Sequence, residues 1–336
     1  MRTLIDARWP VGTGIRRMAD LYRGAAPAGF ELQDLDISTR IGSPLSPIAV
    51  TRALRRQGGR QRSANMFWNP GFVPPLPGTM RSVVTVHDLI HLHFYTAAHR
   101  TYYNVVFKPL YRRCDLIVCI SEFTKAEFME WSGIGAERVV VIPNAIEPGF
   151  AALSDPLDPA KPFVFYAGNR RGYKNVAMMI KAFSAAGLPK EGFELVLTGQ
   201  PDNELLQTAR DCDMSHALRF TGFLDDAGLV AHYKAAACVA FISRYEGFGL
   251  PILEAWQCGT PILLADATSL PEVGGDAALY VDPTDRGAIA AGMRTLCLDS
   301  EVRQSLIAKG NRRSAMFDPA VSSAKLWGAI ARVAQS

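Results

Sequence analysis

Short apolar runs recur along this chain, and most are followed by a helix-sized segment. Ser82–Val86 (SVVTV), Leu116–Ile120 (LIVCI), Val139–Ile142 (VVVI), Phe163–Ala167 (FVFYA), Glu194–Thr198 (ELVLT), Leu218–Thr221 (LRFT), Ala237–Ile242 (ACVAFI) and Pro261–Ala265 (PILLA) are rich in β-branched or aromatic residues. Continuous apolar runs of this size are the pattern of strands covered on both faces. Thr3–Asp6 adds a short strand ahead of the Gly12–Gly14 turn. Helical patterns lie at Ile15–Tyr22, Asn175–Ala186, Asn203–Cys212, Asp226–Ala235 and Leu250–Cys258, and Ser121 is placed to cap the segment FTKAEFMEW. Strands alternating with helices predict right-handed βαβ units, and so an α/β fold with parallel sheets.

A chain of 336 residues suggests two domains. Pro143–Pro162 is Pro-rich and lacks periodicity, which makes it the expected seam. The division expected is 1–150 and 151–317, with an amphipathic C-terminal helix at about 318–336 packing back on the first domain. Residues 40–78 carry a Pro-, Gly- and Arg-rich stretch that the pattern does not assign.

The hydrophobic fraction of 49% and charged fraction of 20% exclude a disordered or low-complexity chain. No run of 18 apolar residues occurs, so no membrane span is expected. The start, MRTLIDARWP, meets an acid at position 6 and does not read as a signal peptide. Cysteines 114, 119, 212, 238, 258 and 297 form no CxxC pair and no zinc spacing, as expected of reduced thiols in a cytoplasmic protein.

The net charge of +4 is unevenly spread: residues 1–150 hold 18 Lys and Arg against 12 Asp and Glu, and residues 151–336 hold 18 against 20. The first half is therefore suited to an anionic partner. Arg52–Arg62 (RALRRQGGRQR) is the most basic stretch, with Arg52, Arg55 and Arg56 on one helix face. It reads either as a solvated face or as a peripheral contact with anionic lipid headgroups. No aromatic stacking platform or reading helix supports nucleic acid.

In open α/β sheets, ligands bind beyond the carboxyl ends of the strands. Ser243–Gly259 (SRYEGFGLPILEAWQCG) follows such a strand. Glu246 stands there with Gly247 and Gly249, and Pro251 suits the first turn of a helix. Glycines let backbone amides approach an anion at a helix N-terminus. Glu254 follows eight residues after Glu246. Two carboxylates beside an anion loop suit the hydroxyls of two sugar rings; a solvated Glu and a capping Glu are the structural alternative. Arg170, Arg171 and Lys174 follow FVFYA, Thr198-Gly199-Gln200 and Gly222-Phe223-Leu224 end later strands, and His87-Asp88 ends SVVTV.

These residues carry a resemblance. EGFGLPILE resembles the E-x7-E segment of the retaining nucleotide-sugar glycosyltransferases of family 4, which have the GT-B fold. VGTGI, VHDLI at 86–90, CISEFTKAEF, VIPNAI, YAGNRRGYKN at 166–175, FTGFLDDAGLVAHYKAA and GTPIL…LPEVGGDAALYVDP follow in the family's order, over nearly the whole chain. The resemblance implies two Rossmann-like domains with parallel sheets facing an interdomain cleft, an acceptor domain first and a donor domain second.

It also implies roles. Glu246 lies at the donor hexose, and the amides of Gly247, Phe248, Gly249 and Leu250 hold the hexose and distal phosphate. Glu254 accepts from the ribose, Lys174 reaches the diphosphate, and one of Arg170 and Arg171 supplies a second cation. The family often has Arg directly after the loop's first glycine, where this chain has Asn169. Gly14, in the Gly12-Thr13-Gly14 loop, faces the phosphates. His87 lies beside the donor sugar, and Asp88 accepts from the acceptor hydroxyl or braces His87. Gly199 and Phe223 are expected at the nucleotide base, and Glu272 at a helix start. His91 and His93 complete an H-D-x-x-H-x-H pattern, yet the family needs no metal in its site, and none is expected.

The implied reaction moves a hexose, mannose from GDP-mannose as the leading donor, onto a glycan or lipid-linked acceptor with retention and no cofactor beyond the nucleotide sugar. UDP- and dTDP-sugars, or a non-catalytic sugar-nucleotide-binding protein, are the alternatives. An epimerase has no use for the paired acids, and a pyridoxal phosphate phosphorylase is far longer.

Overall fold

The computed structural model describes residues 1–58, 65–78 and 80–335. The chain divides into two compact units, Met1–Ala145 with Phe317–Ser336, and Ile146–Met316.

Among the described residues, the first unit holds a sheet of six parallel strands: β1 (Arg2–Ile5), β2 (Glu31–Asp34), β3 (Asn65–Asn69), β4 (Arg81–Val86), β5 (Leu116–Cys119) and β6 (Val139–Val141), ordered β2-β1-β3-β4-β5-β6. The second unit holds β7 (Phe163–Tyr166), β8 (Glu194–Leu197), β9 (Leu218–Phe220), β10 (Cys238–Phe241), β11 (Ile262–Ala265) and β12 (Leu279–Val281), also all parallel, ordered β12-β11-β10-β7-β8-β9. Every residue of β5, β7, β10 and β11 is buried, which is why their sequences are continuously apolar. Cys114, Cys119, Cys238 and Cys297 are buried as free thiols.

Each sheet has one place where the chain reverses its direction of travel across the strands: between β1 and β3 in the first, and between β7 and β10 in the second. Loops leaving two such neighbours diverge and open a crevice at the carboxyl ends, where α/β sheets bind ligands.

Three strands carry no readable pattern. β2 is an edge strand with no buried residue. β12 is a three-residue edge. β3, inside the unassigned 40–78 stretch, is framed by asparagines, although Met66, Phe67 and Trp68 are fully buried. The helix Ser46–Gln57 lies in the same stretch; it exposes Arg52, Arg55 and Arg56 on one side while burying Val50, Ala53 and Leu54. Residues 59–62 of the basic run lie outside the described residues. The C-terminal helix Pro319–Gln335 belongs to the first unit, where the Trp327 indole donates to the Tyr22 carbonyl at 2.8 Å.

Candidate active site

In the second unit, the loops after β7 and β10 are stitched together at the point of strand reversal. Asn175 sits in the left-handed region (φ 64°), buried, and its amide donates to the carbonyls of Ile242 at 3.2 Å and Pro283 at 2.7 Å. The Arg244 backbone N–H donates to the Tyr173 carbonyl at 2.8 Å. Asparagine tolerates this conformation better than most residues, and its side chain replaces the backbone partners that the turn gives up.

This stitching brings Lys174 to Glu246. Lys174 Nζ lies 2.5 Å from Glu246 Oε1, and both side chains are 12% exposed. The ammonium also stands 5.3 Å from the Phe241 ring centroid and 5.2 Å from that of Tyr173. An ammonium has three donors, so the ion pair occupies one of them.

Glu246 is held from its backbone. Its N–H donates to Thr268 Oγ1 at 3.0 Å and its carbonyl accepts from Ser269 Oγ at 2.9 Å. Thr268 has φ 54°, costly for a β-branched residue, and such strain persists only where surrounding contacts enforce it. Gly247, Phe248 and Gly249 are buried, and Leu250 opens the helix Leu250–Gln257 with Pro251 in its first turn. Gly249 has φ 100°, and a Cβ there would stand 3.0 Å from Ile252 and Leu270 side-chain atoms, so only glycine fits. Glu254, in that helix, is 7% exposed, and the Tyr233 hydroxyl donates to its Oε2 at 2.7 Å. Thr260 Oγ1 donates to the Tyr233 carbonyl at 2.6 Å and fixes the start of that link.

The two arginines separate. Arg170 is bound inward: its guanidinium donates to the Thr198 carbonyl at 2.5 Å, to the Gln200 carbonyl, and to Asp202 Oδ2 at 3.0 Å, and it lies 4.8 Å from the Phe220 ring centroid. It braces the turn at Gly199 (φ 86°), where a Cβ would fall 2.6 Å from Arg170 Nη2. Both arginines line a cavity of about 510 Å³, together with Lys181, Arg244 and the acids Asp202 and Glu204, and they differ in that Arg170 has its guanidinium tied to the carbonyls after β8. Gly199 and Gly222 exchange backbone hydrogen bonds at 2.7 and 3.2 Å, and beside them Phe223 is 87% exposed.

In the first unit, Gly12 (φ 85°) turns the chain after β1, and Thr13 Oγ1 accepts from the Arg16 N–H to cap the helix Gly14–Gly24, whose first residue, Gly14, is exposed. His87 follows β4, and its Nε2 lies 2.6 Å from the Pro70 carbonyl. A carbonyl only accepts, so Nε2 carries the proton and Nδ1 the lone pair. Burial pushes this imidazole down to about 4, against the opposing pull of the Pro70 hydrogen bond, so it is neutral at neutral pH. Asp88 Oδ1 accepts from the Ile90 N–H at 3.1 Å.

The remaining histidines part company. His91 is stacked on Tyr103 with ring centroids 3.4 Å apart, and burial pushes it down to about 3. His93 bonds Glu127. Glu272 lies in the short helix Leu270–Gly274, and its carbonyl accepts from Arg313 at 2.7 Å.

Sequence reading missed Tyr233, Thr268, Ser269 and Asn175 as site builders. Tyr233 meets an acid 21 residues away, which no local pattern reveals. The Thr268-Ser269 pair ahead of LPE is a turn signal that could have been weighed. The Asp6–Arg8 pair was missed as well: Asp6 is fully buried at the end of β1, bound by Arg8 at 2.7 and 2.8 Å and by the Asn69 amide at 3.1 Å.

Comparison with known proteins follows this division. A family model described as glycosyl transferases group 1 matches residues 154–313, and one described as Glycosyltransferase Family 4 matches residues 63–150. The chain is 31% identical to the O-antigen chain mannosyltransferase B of Escherichia coli over 259 residues, 70% of this chain and 66% of that protein. It is 32% identical to the serotype-specific mannosyltransferase WbdA of Escherichia coli over 62% of this chain, a match that spans only 27% of that longer protein. Among solved structures, a sucrose-phosphate synthase from Thermosynechococcus elongatus shares the fold over 98% of both chains with a TM-score of 0.78, at 17% identity.

Proposed function

We propose that this chain, which belongs to the family-4 glycosyltransferases, moves a hexose from a nucleoside-diphosphate sugar to a hydroxyl of a glycan or lipid-linked acceptor in polysaccharide synthesis. The observation that carries the reading is the Lys174–Glu246 pair at the strand reversal of the second sheet. Breaking the anomeric C–O bond builds positive charge on the sugar and negative charge on the departing diphosphate. Lys174 supplies a compact cation to that diphosphate while one of its donors stays on Glu246. Glu246 in turn accepts from hexose hydroxyls. Removing a donor aimed at developing charge typically costs roughly 2.7–4 kcal/mol of transition-state stabilisation.

Glu254 takes the ribose hydroxyls, and Gly247 to Leu250 hold the distal phosphate. Since Arg170 braces the turn at Gly199, Arg171 is the better candidate for the second cation. We assign the acceptor to the first unit, with His87 neutral and Asp88 beside it. The acceptor attacks from the leaving-group face, retention results, and a diphosphate oxygen takes the proton; no metal or further cofactor has a part. GDP-mannose is the leading donor, supported by the mannosyltransferase relatives.

A panel of GDP-, UDP- and dTDP-sugars, scored for slow hydrolysis and for a rise in melting temperature, tests the reading. GDP-mannose should give the largest rise and measurable GDP release. A protein indifferent to every donor would overturn it.

A further inference from the structure

We infer that Asp6 and Asn69 are positioning residues for His87: they hold the peptide group that fixes which ring nitrogen of this histidine carries its proton. The inference rests on the role proposed for His87, and it adds two residues that are fully buried and so reach no substrate themselves.

Asn69 ends β3, and its side chain bridges the turn that follows. Its Nδ2 donates to the Val73 carbonyl at 2.8 Å and to Asp6 Oδ2 at 3.1 Å. Both partners accept, so the amide fits one way round, with Oδ1 accepting from the Gly71 N–H at 2.8 Å. That N–H belongs to the same peptide plane as the Pro70 carbonyl. A trans peptide is flat, with its N–H and C=O pointing in opposite directions. Gripping the N–H on one side aims the carbonyl to the other, where it stands 2.6 Å from His87 Nε2. Asp6 is anchored in turn: Arg8 binds it through Nε at 2.8 Å and Nη2 at 2.7 Å, and places Nη1 on the Thr39 carbonyl at 2.8 Å. Trp9 closes on the same turn, since a Cβ on Gly71 would stand 2.2 Å from its Nε1.

The chain of contacts from Arg8 through Asp6, Asn69 and the Pro70–Gly71 peptide therefore sets what His87 offers. Its Nε2–H is committed to Pro70, and no partner for Nδ1 occurs among the described residues. Burial keeps the ring neutral, so Nδ1 presents a lone pair alone. It takes a hydroxyl that donates, and it has no proton to give a phosphate oxygen.

The test is NMR of the full chain with its histidine ring nitrogens isotopically labelled, with His87→Gln assigning the signal. Wild-type His87 should show the Nε2–H form; the Nδ1–H form would overturn the inference. Asn69→Ala should bring the Nδ1–H form up to a visible share. It should also change GDP-mannose hydrolysis about tenfold, the worth of one hydrogen bond. A fall in kcat places the held hydroxyl on the attacking water, a rise in KM places it on the hexose, and either supports the inference. Arg8→Lys keeps the charge but loses the two-point grip on Asp6; it should act in the same direction, and it carries the comparison if Asn69→Ala does not fold. Val139→Ala, a buried truncation at the start of β6, should lower the melting temperature and move neither tautomer nor hydrolysis. Network variants that match the wild type in both, or Val139→Ala shifting both, would overturn the inference. If the wild type hydrolyses no donor, the transfer reading fails and the NMR signals alone decide this one.

Discussion

Lys174 Nζ and Glu246 Oε1 lie 2.5 Å apart, joining the loops after the first and fourth strands of the second sheet. The pair sets an ammonium against a carboxylate in a place only 12% exposed, and the ammonium has two further donors. The loop that carries this ammonium is held by Asn175 and by the Tyr173–Arg244 backbone bond, so on the proposed function a diphosphate would meet a cation already in position.

Removing either member should therefore cost both function and stability. Lys174→Ala should lower turnover roughly 10²–10³-fold and destabilise the fold by about 1–3 kcal/mol, because Glu246 loses its partner. Glu246→Ala should also lower the melting temperature, because Lys174 then loses its partner in a place only 12% exposed. A double-mutant cycle in thermal unfolding should show coupling above about 0.5 kcal/mol; strict additivity would separate the two residues.

Tyr233 is a positioning residue for Glu254. Tyr233→Phe should raise the donor KM by about tenfold, the worth of one hydrogen bond to a charged group near 1.4 kcal/mol, with kcat less affected. A fall in kcat at constant KM would instead place this link in the chemical step.

The arginines should behave differently. Arg170→Lys should destabilise the second unit, since a single ammonium cannot reach the Thr198 and Gln200 carbonyls and Asp202 together. Arg171→Ala should reduce turnover with little change in melting temperature. The reverse pattern would exchange their roles.

Acid should weaken the first unit. His87 and His91 are held neutral by burial, with values near 4 and 3 against an ordinary 6.5. The unfolded chain takes up these protons first. Stability is therefore full above pH 6.5 and falls as pH drops toward 4, by up to about 3 kcal/mol for His87. His87→Gln should flatten the fall of melting temperature with acid. A melting temperature that rises on acidification would contradict the assignment.

Gly310 sets a packing limit. A Cβ there would stand 2.3 Å from Trp256 Cδ1, and Trp256 is 2% exposed with its indole bonded to the Ala277 carbonyl at 3.2 Å. Alanine gains about 1 kcal/mol of helix propensity, but overpacking against a fixed ring costs about 1–3 kcal/mol. Gly310→Ala should therefore lower the melting temperature; an increase would show that the indole can move.

Much of this was legible in the sequence because parallel strands are buried on both faces. SVVTV, LIVCI, FVFYA and ACVAFI each became a strand within a residue or two of the apolar run. Of the four edge strands among the described residues, Val139–Val141 and Leu218–Phe220 kept readable apolar runs, whereas Glu31–Asp34, with no buried residue, is too polar to read as a strand. Asn65–Asn69 escaped because its flanking asparagines read as turn residues, while Asn69 serves a buried hydrogen-bond network with Asp6 and the Val73 carbonyl. At the site, spacing pointed to Glu246 and Glu254 and the family resemblance to Lys174, but neither revealed their pairing partners. Which arginine faces inward depended on carbonyls some 30 residues away, a relationship set by strand order rather than by local sequence.

The most direct measurement is calorimetric binding of GDP-mannose and of GDP to the wild type, Lys174→Ala and Glu246→Gln. If Lys174 serves the diphosphate and Glu246 the hexose, Lys174→Ala weakens both ligands while Glu246→Gln weakens GDP-mannose alone. Equal affinity of all three proteins for both ligands would contradict the account.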